Sequence, residues 1–129
     1  MKEEVTRYLF KPEIEELVEK AEQHVFGQAS KWIKHPYIPL EVYMRATNRY
    51  INEEQVKTLE IANVSVWEER RRQGYFTRLL KTVELVAKST CRIVFIEQLH
   101  NEWLYGWLQT HQGYELHPSE DFGLIKTDL

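Results

Sequence analysis

Arg70, Arg71 and Arg72 run up to Gln73-Gly74, and a pattern of helical period begins directly after the glycine. The start of a helix leaves several backbone N–H groups without partners, and the helix dipole adds positive character, so anions bind there. A glycine at that point lets a ligand approach the backbone closely. The RRRQGYF stretch therefore has two readings, a phosphate-binding turn and a solvated basic turn.

A second chemical group precedes it. Glu60 lies in the run LEIANVSV, where period-two alternation puts it on one face with Ala62, Val64 and Val66. In that place a glutamate is either a proton acceptor, with burial raising its affinity for a proton, or an ion-paired strand residue. His24, His35, His100, His111 and His117 show no zinc-ligand spacing with one another or with Cys91, so no metal is expected. Cys91, the sole cysteine, permits no intrachain disulfide and reads as a small buried side chain beside Ile93–Ile96.

These residues need elements to hold them. Val5–Phe10 reads as a strand. Pro12 with Glu13, Glu15 and Glu16 then opens a helix whose apolar positions are Ile14, Leu17, Val18, Ala21, Val25 and Trp32, with Gly27 as a division into two helices. His35-Pro36 ends that pattern. Leu40–Ile51 and Val56–Val66 read as a hairpin around Asn52-Glu53-Glu54. Thr77–Lys88 is an amphipathic helix, and Arg92–Gln98 is the nearly continuous apolar run of a central strand. Asn101–Gln112 is a helix closed by Gly113, followed by two short strands around Pro118-Ser119-Glu120-Asp121. The order β, α, β, β, α, β, α, β, β implies a mixed α/β, mainly antiparallel sheet flanked by helices, with one buried strand–helix–strand unit.

The segment from about residue 56 to 116 resembles the GNAT superfamily of acyl-CoA-dependent N-acyltransferases. The family carries an apolar strand ending in Val, a few residues, then Arg/Gln-x-x-Gly-x-Gly/Ala opening a helix. Here Val66 is followed by WEER and then Arg71-Arg72-Gln73-Gly74-Tyr75-Phe76. The family also opens its next helix with Asn and closes it with Gly and an aromatic residue, matched by Asn101 and Gly113-Tyr114. The resemblance implies a GNAT-like fold with a central strand–turn–helix–strand acyl-CoA core. It assigns the coenzyme A pyrophosphate to the turn Arg71, Arg72, Gln73, Gly74, Tyr75, Phe76 and Thr77. The backbone of Val64 and Val66 would receive the pantetheine arm and acyl carbonyl, with Asn101 also on the cofactor side. Phe76 replaces the family's small residue, and its ring either crowds the pyrophosphate or packs under the helix. Some family members carry a glutamate base at the spacing of Glu60. The family's acid tyrosine falls at Leu108 or Gln109, neither a tyrosine, which leaves Tyr105, one turn earlier, as the substitute.

The 129 residues, 43% of them hydrophobic, suit one domain spanning 1–129. A formal net charge of −3 speaks against a general nucleic-acid binder. MKEEVTRYLF has no signal-peptide pattern, and no apolar run is long enough to span a bilayer, so a cytoplasmic location is expected. The expected activity is transfer of an acetyl group from acetyl-CoA to a primary amine of a small molecule or protein. The alternative keeps the fold but acts by binding a protein partner, with Trp32, Tyr37, Tyr43, Tyr50 and Trp67 as possible anchors. Pairing as a homodimer is a habit of the family.

Overall fold

The computed structural model describes residues 8–51, 53–66, 74–97, 102–116, 123–127 and 129. Helix α1 (Lys11–Gln23) leads into strands β1 (Ala29–His35), β2 (Ile38–Ile51) and β3 (Glu54–Val66). These are followed by α2 (Tyr75–Ser89), β4 (Ile93–Ile96), α3 (Glu102–His111), β5 (Glu115–Leu116) and β6 (Leu124–Lys126). The six strands form one sheet in the order β1-β2-β3-β4-β6-β5. Only β3 and β4 run parallel, joined by the crossover through α2; every other pair is antiparallel.

Strict alternation along β2 divides the sheet into two faces. Leu40, Val42, Met44 and Ala46 are fully buried, while Tyr43, Arg45, Thr47 and Arg49 are partly exposed on the other side. Leu59, Ile61, Val94 and Ile96 continue the apolar face. It is covered by Ile14, Leu17, Val18 and Ala21 of α1 and by Leu79, Leu80, Val83, Val86 and Ala87 of α2. Each such side chain taken from water contributes on the order of 1.5–3 kcal/mol for the larger aliphatics, which makes this layer the main source of stability. Helix α3 ends at His111, and Gly113 (φ 74) turns the chain just after it, as expected from the sequence. Tyr114 then ties the tail to α2: its hydroxyl donates to Glu84 Oε2 at 2.8 Å, and Lys126 Nζ approaches the same oxygen at 3.4 Å.

The N-terminal third differs from expectation. Residues 5–7 of the expected strand Val5–Phe10 lie outside the described residues, and Tyr8–Phe10 form a turn. Phe10 adopts φ 62 and its carbonyl accepts the first helical bond of α1, from Ile14 N–H at 2.9 Å, because Pro12 starts a helix there. Val25 and Trp32 are not part of a helical face: α1 stops at Gln23, Val25 is exposed, and Trp32 lies in β1 with its ring tilted against Tyr43. Gly27 divides a helix from a strand. At φ 67 it reverses the chain so closely against β2 that a Cβ would lie 2.9 Å from Asn48 Nδ2. Among the described residues the first strand is thus β1, in a stretch expected to be helical. Cys91 is exposed, not buried, at φ 57 in the turn after α2.

Candidate active site

The two parallel strands at the centre stay paired for only four residues, from Thr58↔Ile93 to Ile61↔Ile96, with one further bond from Glu97 N–H to the Ile61 carbonyl at 2.9 Å. β3 then continues to Val66, bonded among the described residues only to β2. At the same level β3 carries a bulge. Met44 pairs with Ile61 and Tyr43 with Asn63, so Ala62 is the extra residue. Among the described residues, β3 has no partner on its β4 side beyond Ile61 and Glu97.

The bulge also overturns one expectation. Because it adds a residue, alternation restarts after Ala62: Val64 pairs with Val42 on the helix-covered face, whereas Glu60 pairs with Arg45 on the opposite one. Glu60 and Val64 therefore face opposite sides of the sheet. Val66 ends β3 opposite Leu40.

From Val66 the chain passes through residues 67–73 to the start of α2. Arg71, Arg72 and Gln73 lie outside the described residues. Gly74 caps α2 in the left-handed region (φ 83), and its carbonyl accepts the first helical bond from Arg78 N–H at 3.0 Å. The amides of Gly74, Tyr75, Phe76 and Thr77 precede that bond. Among the described residues no side chain caps the helix, and no acidic residue stands in its first turn to offset the dipole. A Cβ at Gly74 would meet nothing within 4 Å, so the glycine serves the backbone conformation and not a crowded protein contact. Of the two readings of Phe76, the structure shows packing: its ring lies against the core and edge-on to Trp107 at 6.3 Å.

Glu60 is fully buried, the other reading left open for it being the ion-paired one. Its carboxylate accepts from Arg45 Nε at 3.3 Å, Arg49 Nε at 2.6 Å, Arg49 Nη2 at 3.0 Å and Thr58 Oγ1 at 2.7 Å. Both oxygens are engaged, so an amine reaches this carboxylate only by displacing a donor. Arg49 lies over the Phe95 ring at 3.9 Å from its centroid. Beside this group stands Glu97, whose N–H donates to the Ile61 carbonyl and whose carboxylate pairs with Arg45. Sequence reading passed over it because it stands among the polar residues where the strand pattern fades. Tyr105 falls within α3, with its side chain outside those described, and Asn101 is outside the described residues altogether. Among the described residues, no cluster of three or more His, Cys, Asp or Glu side chains is arranged to hold a metal. No helix among them is long and apolar enough to cross a membrane.

A mixed sheet with this strand order, one central parallel pair whose first strand is bulged, and the helix that joins the pair make a GNAT-like fold. Among solved structures, the chain is similar to a point mutant of the toxin AtaT bound to the C-terminus of the antitoxin AtaR and acetyl-CoA. The match has a TM-score of 0.53 and 13% identity over 67% of this chain, and it spans 57% of the AtaT chain. No protein-family model and no curated protein sequence matches the chain.

Proposed function

We propose that the protein is an acetyl-CoA-dependent N-acyltransferase. The observation that carries this reading is the parallel pair β3–β4 joined through α2, whose start is Gly74 in the left-handed region with no acidic residue in its first turn. Beyond Ile61, β3 would offer hydrogen bonds to the amides of the pantetheine arm through the backbone of Val64 and Val66. The amides from Gly74 to Thr77, with Arg71, Arg72 and Gln73 from the preceding turn, supply the seat for the pyrophosphate. Tyr75 and Phe76 contribute there through the backbone, and Asn101 borders the same cosubstrate. The likeness to a structure holding acetyl-CoA supports that choice of cosubstrate.

The chemistry is attack of a neutral primary amine, borne by a small molecule or a protein, on the thioester carbonyl. A backbone N–H aimed at the developing oxyanion is the largest electrostatic contribution available. Tyr105 is assigned the proton for the departing thiol. The burial and saturation of Glu60 support an anchoring role, holding Arg45 and Arg49, in place of the base role that its spacing suggests. Calorimetric titration of acetyl-CoA into wild type and Gly74→Arg tests the reading. Saturable binding lost in the variant supports it, and no binding in wild type overturns it.

A second reading has its own observation. Tyr37 and Tyr50 are 87% and 71% exposed, and Trp32 is 48% exposed, which suits anchors for a protein partner. The AtaT structure holds a peptide from a partner protein as well as acetyl-CoA. Without coenzyme A binding, a fold retained for partner binding becomes the account to pursue.

A further inference from the structure

The end of β3 opposite Val66, about 40 Å along the strand, lies beside an apolar surface that the core does not use. The turn between α1 and β1 presents Val25, 84% exposed, and Phe26, 71% exposed. This turn is held in shape. Phe26 N–H donates to His24 Nδ1 at 3.1 Å, Gly27 N–H donates to the His24 carbonyl at 2.9 Å, and the His24 and Phe26 rings stand 5.8 Å apart. The hairpin of β2 and β3 stands next to it. A Cβ on Gly27 would lie 2.9 Å from Asn48 Nδ2, Ala29 pairs with Ala46, and Lys57 Nζ reaches Glu22 at 3.1 Å. Tyr50 follows Asn48 on the same face of β2 and is exposed as well.

Apolar side chains this exposed add nothing to the core, and a turn held by fixed bonds loses little freedom when a partner covers it. The surrounding charge narrows the partner. Toward the end of α1, Lys20 is paired with Glu16, and Lys57 of the hairpin is paired with Glu22. That leaves Glu19, Glu53 and Glu54, all exposed and without an ion partner among the described residues. A second copy of this chain would bring the same carboxylates against them, and an anionic membrane surface would be repelled in the same way. A cationic partner is attracted.

We infer that this end of the sheet docks a basic segment of a partner protein. Its apolar side chains cover Val25, Phe26 and Tyr50, and its Lys or Arg side chains pair with Glu19, Glu53 and Glu54. The surface is separate from the proposed cosubstrate site, so the inference holds whether or not the protein is an acyltransferase. Of the aromatic anchors named above, only Tyr50 belongs to it.

The test is fluorescence anisotropy with two labelled probe peptides titrated with the full chain. One is an amphipathic helix of leucine and lysine, and the other carries glutamate in place of lysine. The lysine peptide is expected to bind saturably and more weakly as salt rises, with the glutamate peptide at least about tenfold weaker. Val25→Ser combined with Phe26→Ser should lose about tenfold or more in affinity for the lysine peptide. Glu53→Lys combined with Glu54→Lys should lose a comparable factor. Circular dichroism should be unchanged in both, because all four side chains are exposed. No saturable binding of the lysine peptide overturns the inference, as does equal binding of the two peptides or wild-type affinity in both double variants. Sedimentation of the chain alone reads the other occupant: a dimer lost on replacing Val25 and Phe26 assigns the surface to a second copy and also overturns the inference.

Discussion

Replacing Glu60 by Gln removes one charge from a fully buried site while keeping nearly the same volume. The glutamine still accepts at one oxygen, but its amide nitrogen is turned toward guanidinium donors, and Arg45 and Arg49 lose their shared counter-charge. Breaking a buried ion pair from one side costs about 3–5 kcal/mol. The two arginine side chains are 32% and 18% exposed, so water takes over part of the lost bonding, and Glu97 remains as a second counter-ion. The lower end, about 3 kcal/mol, is therefore expected. With an unfolding entropy of about 2.1 cal/mol/K per residue over 129 residues, that lowers Tm by about 11 °C. Thermal unfolding by circular dichroism measures it, and transfer is assayed at a temperature where the variant stays folded. Retained kcat is expected there, because Glu60 anchors arginines and does not meet the amine. A Tm within about 2 °C of wild type refutes the burial argument. A normal Tm combined with a kcat reduced by orders of magnitude would make Glu60 the base after all.

Further predictions follow from other sites. Gly74→Ala forces a side chain into φ 83 and should cost about 1 kcal/mol of stability without a protein clash, measurable by urea denaturation. Tyr114 is buried, and burial first, then the charge of Glu84, pushes its phenol well above the ordinary value of 10.0. Its folded form keeps the proton, so its contribution is full below pH 10 and is lost as pH rises beyond it. Tyr114→Phe should unfold less steeply with alkali, and at neutral pH should lose about 1 kcal/mol with the bond to Glu84. Glu22 accepts from Lys57 and from Arg92, and these bonds, Lys57's first, hold its carboxyl below the ordinary 4.5. Its contribution is present above pH 4.5 and is lost as pH falls through the lower folded value. An acid titration followed by fluorescence should show Glu22→Gln with a flatter decline than wild type.

How much of this was legible in the sequence depends on how local the signal is. α2 and β4 could be read because their apolar positions follow one period from end to end, and Gly113 marks the end of α3 by its conformation alone. β1 could not. Its pattern, ASKWIKH, buries only Ile33, and Trp32 lies seven residues from Val25, which mimics a helical stripe. What makes it a strand is pairing with β2, and periodicity carries no information about that partner. The face of Glu60 failed for a related reason. One extra residue at Ala62 inverts the alternation beyond it, and nothing in LEIANVSV marks the place. The same bulge lies in the strand that the proposed cosubstrate site would use. The pairing of Glu97 with Arg45 could not be read either, because the two stand 52 residues apart in sequence.

The central claim is that acetyl-CoA lies between β3 and β4 with its pyrophosphate on the start of α2. The most direct measurement is an amide-resolved NMR titration of the 15N-labelled protein with acetyl-CoA. The account predicts saturable shifts concentrated at Gly74–Thr77 and along 62–66, with Glu97 included. Shifts absent from both segments, or confined to the far ends of β1 and β2, would contradict it.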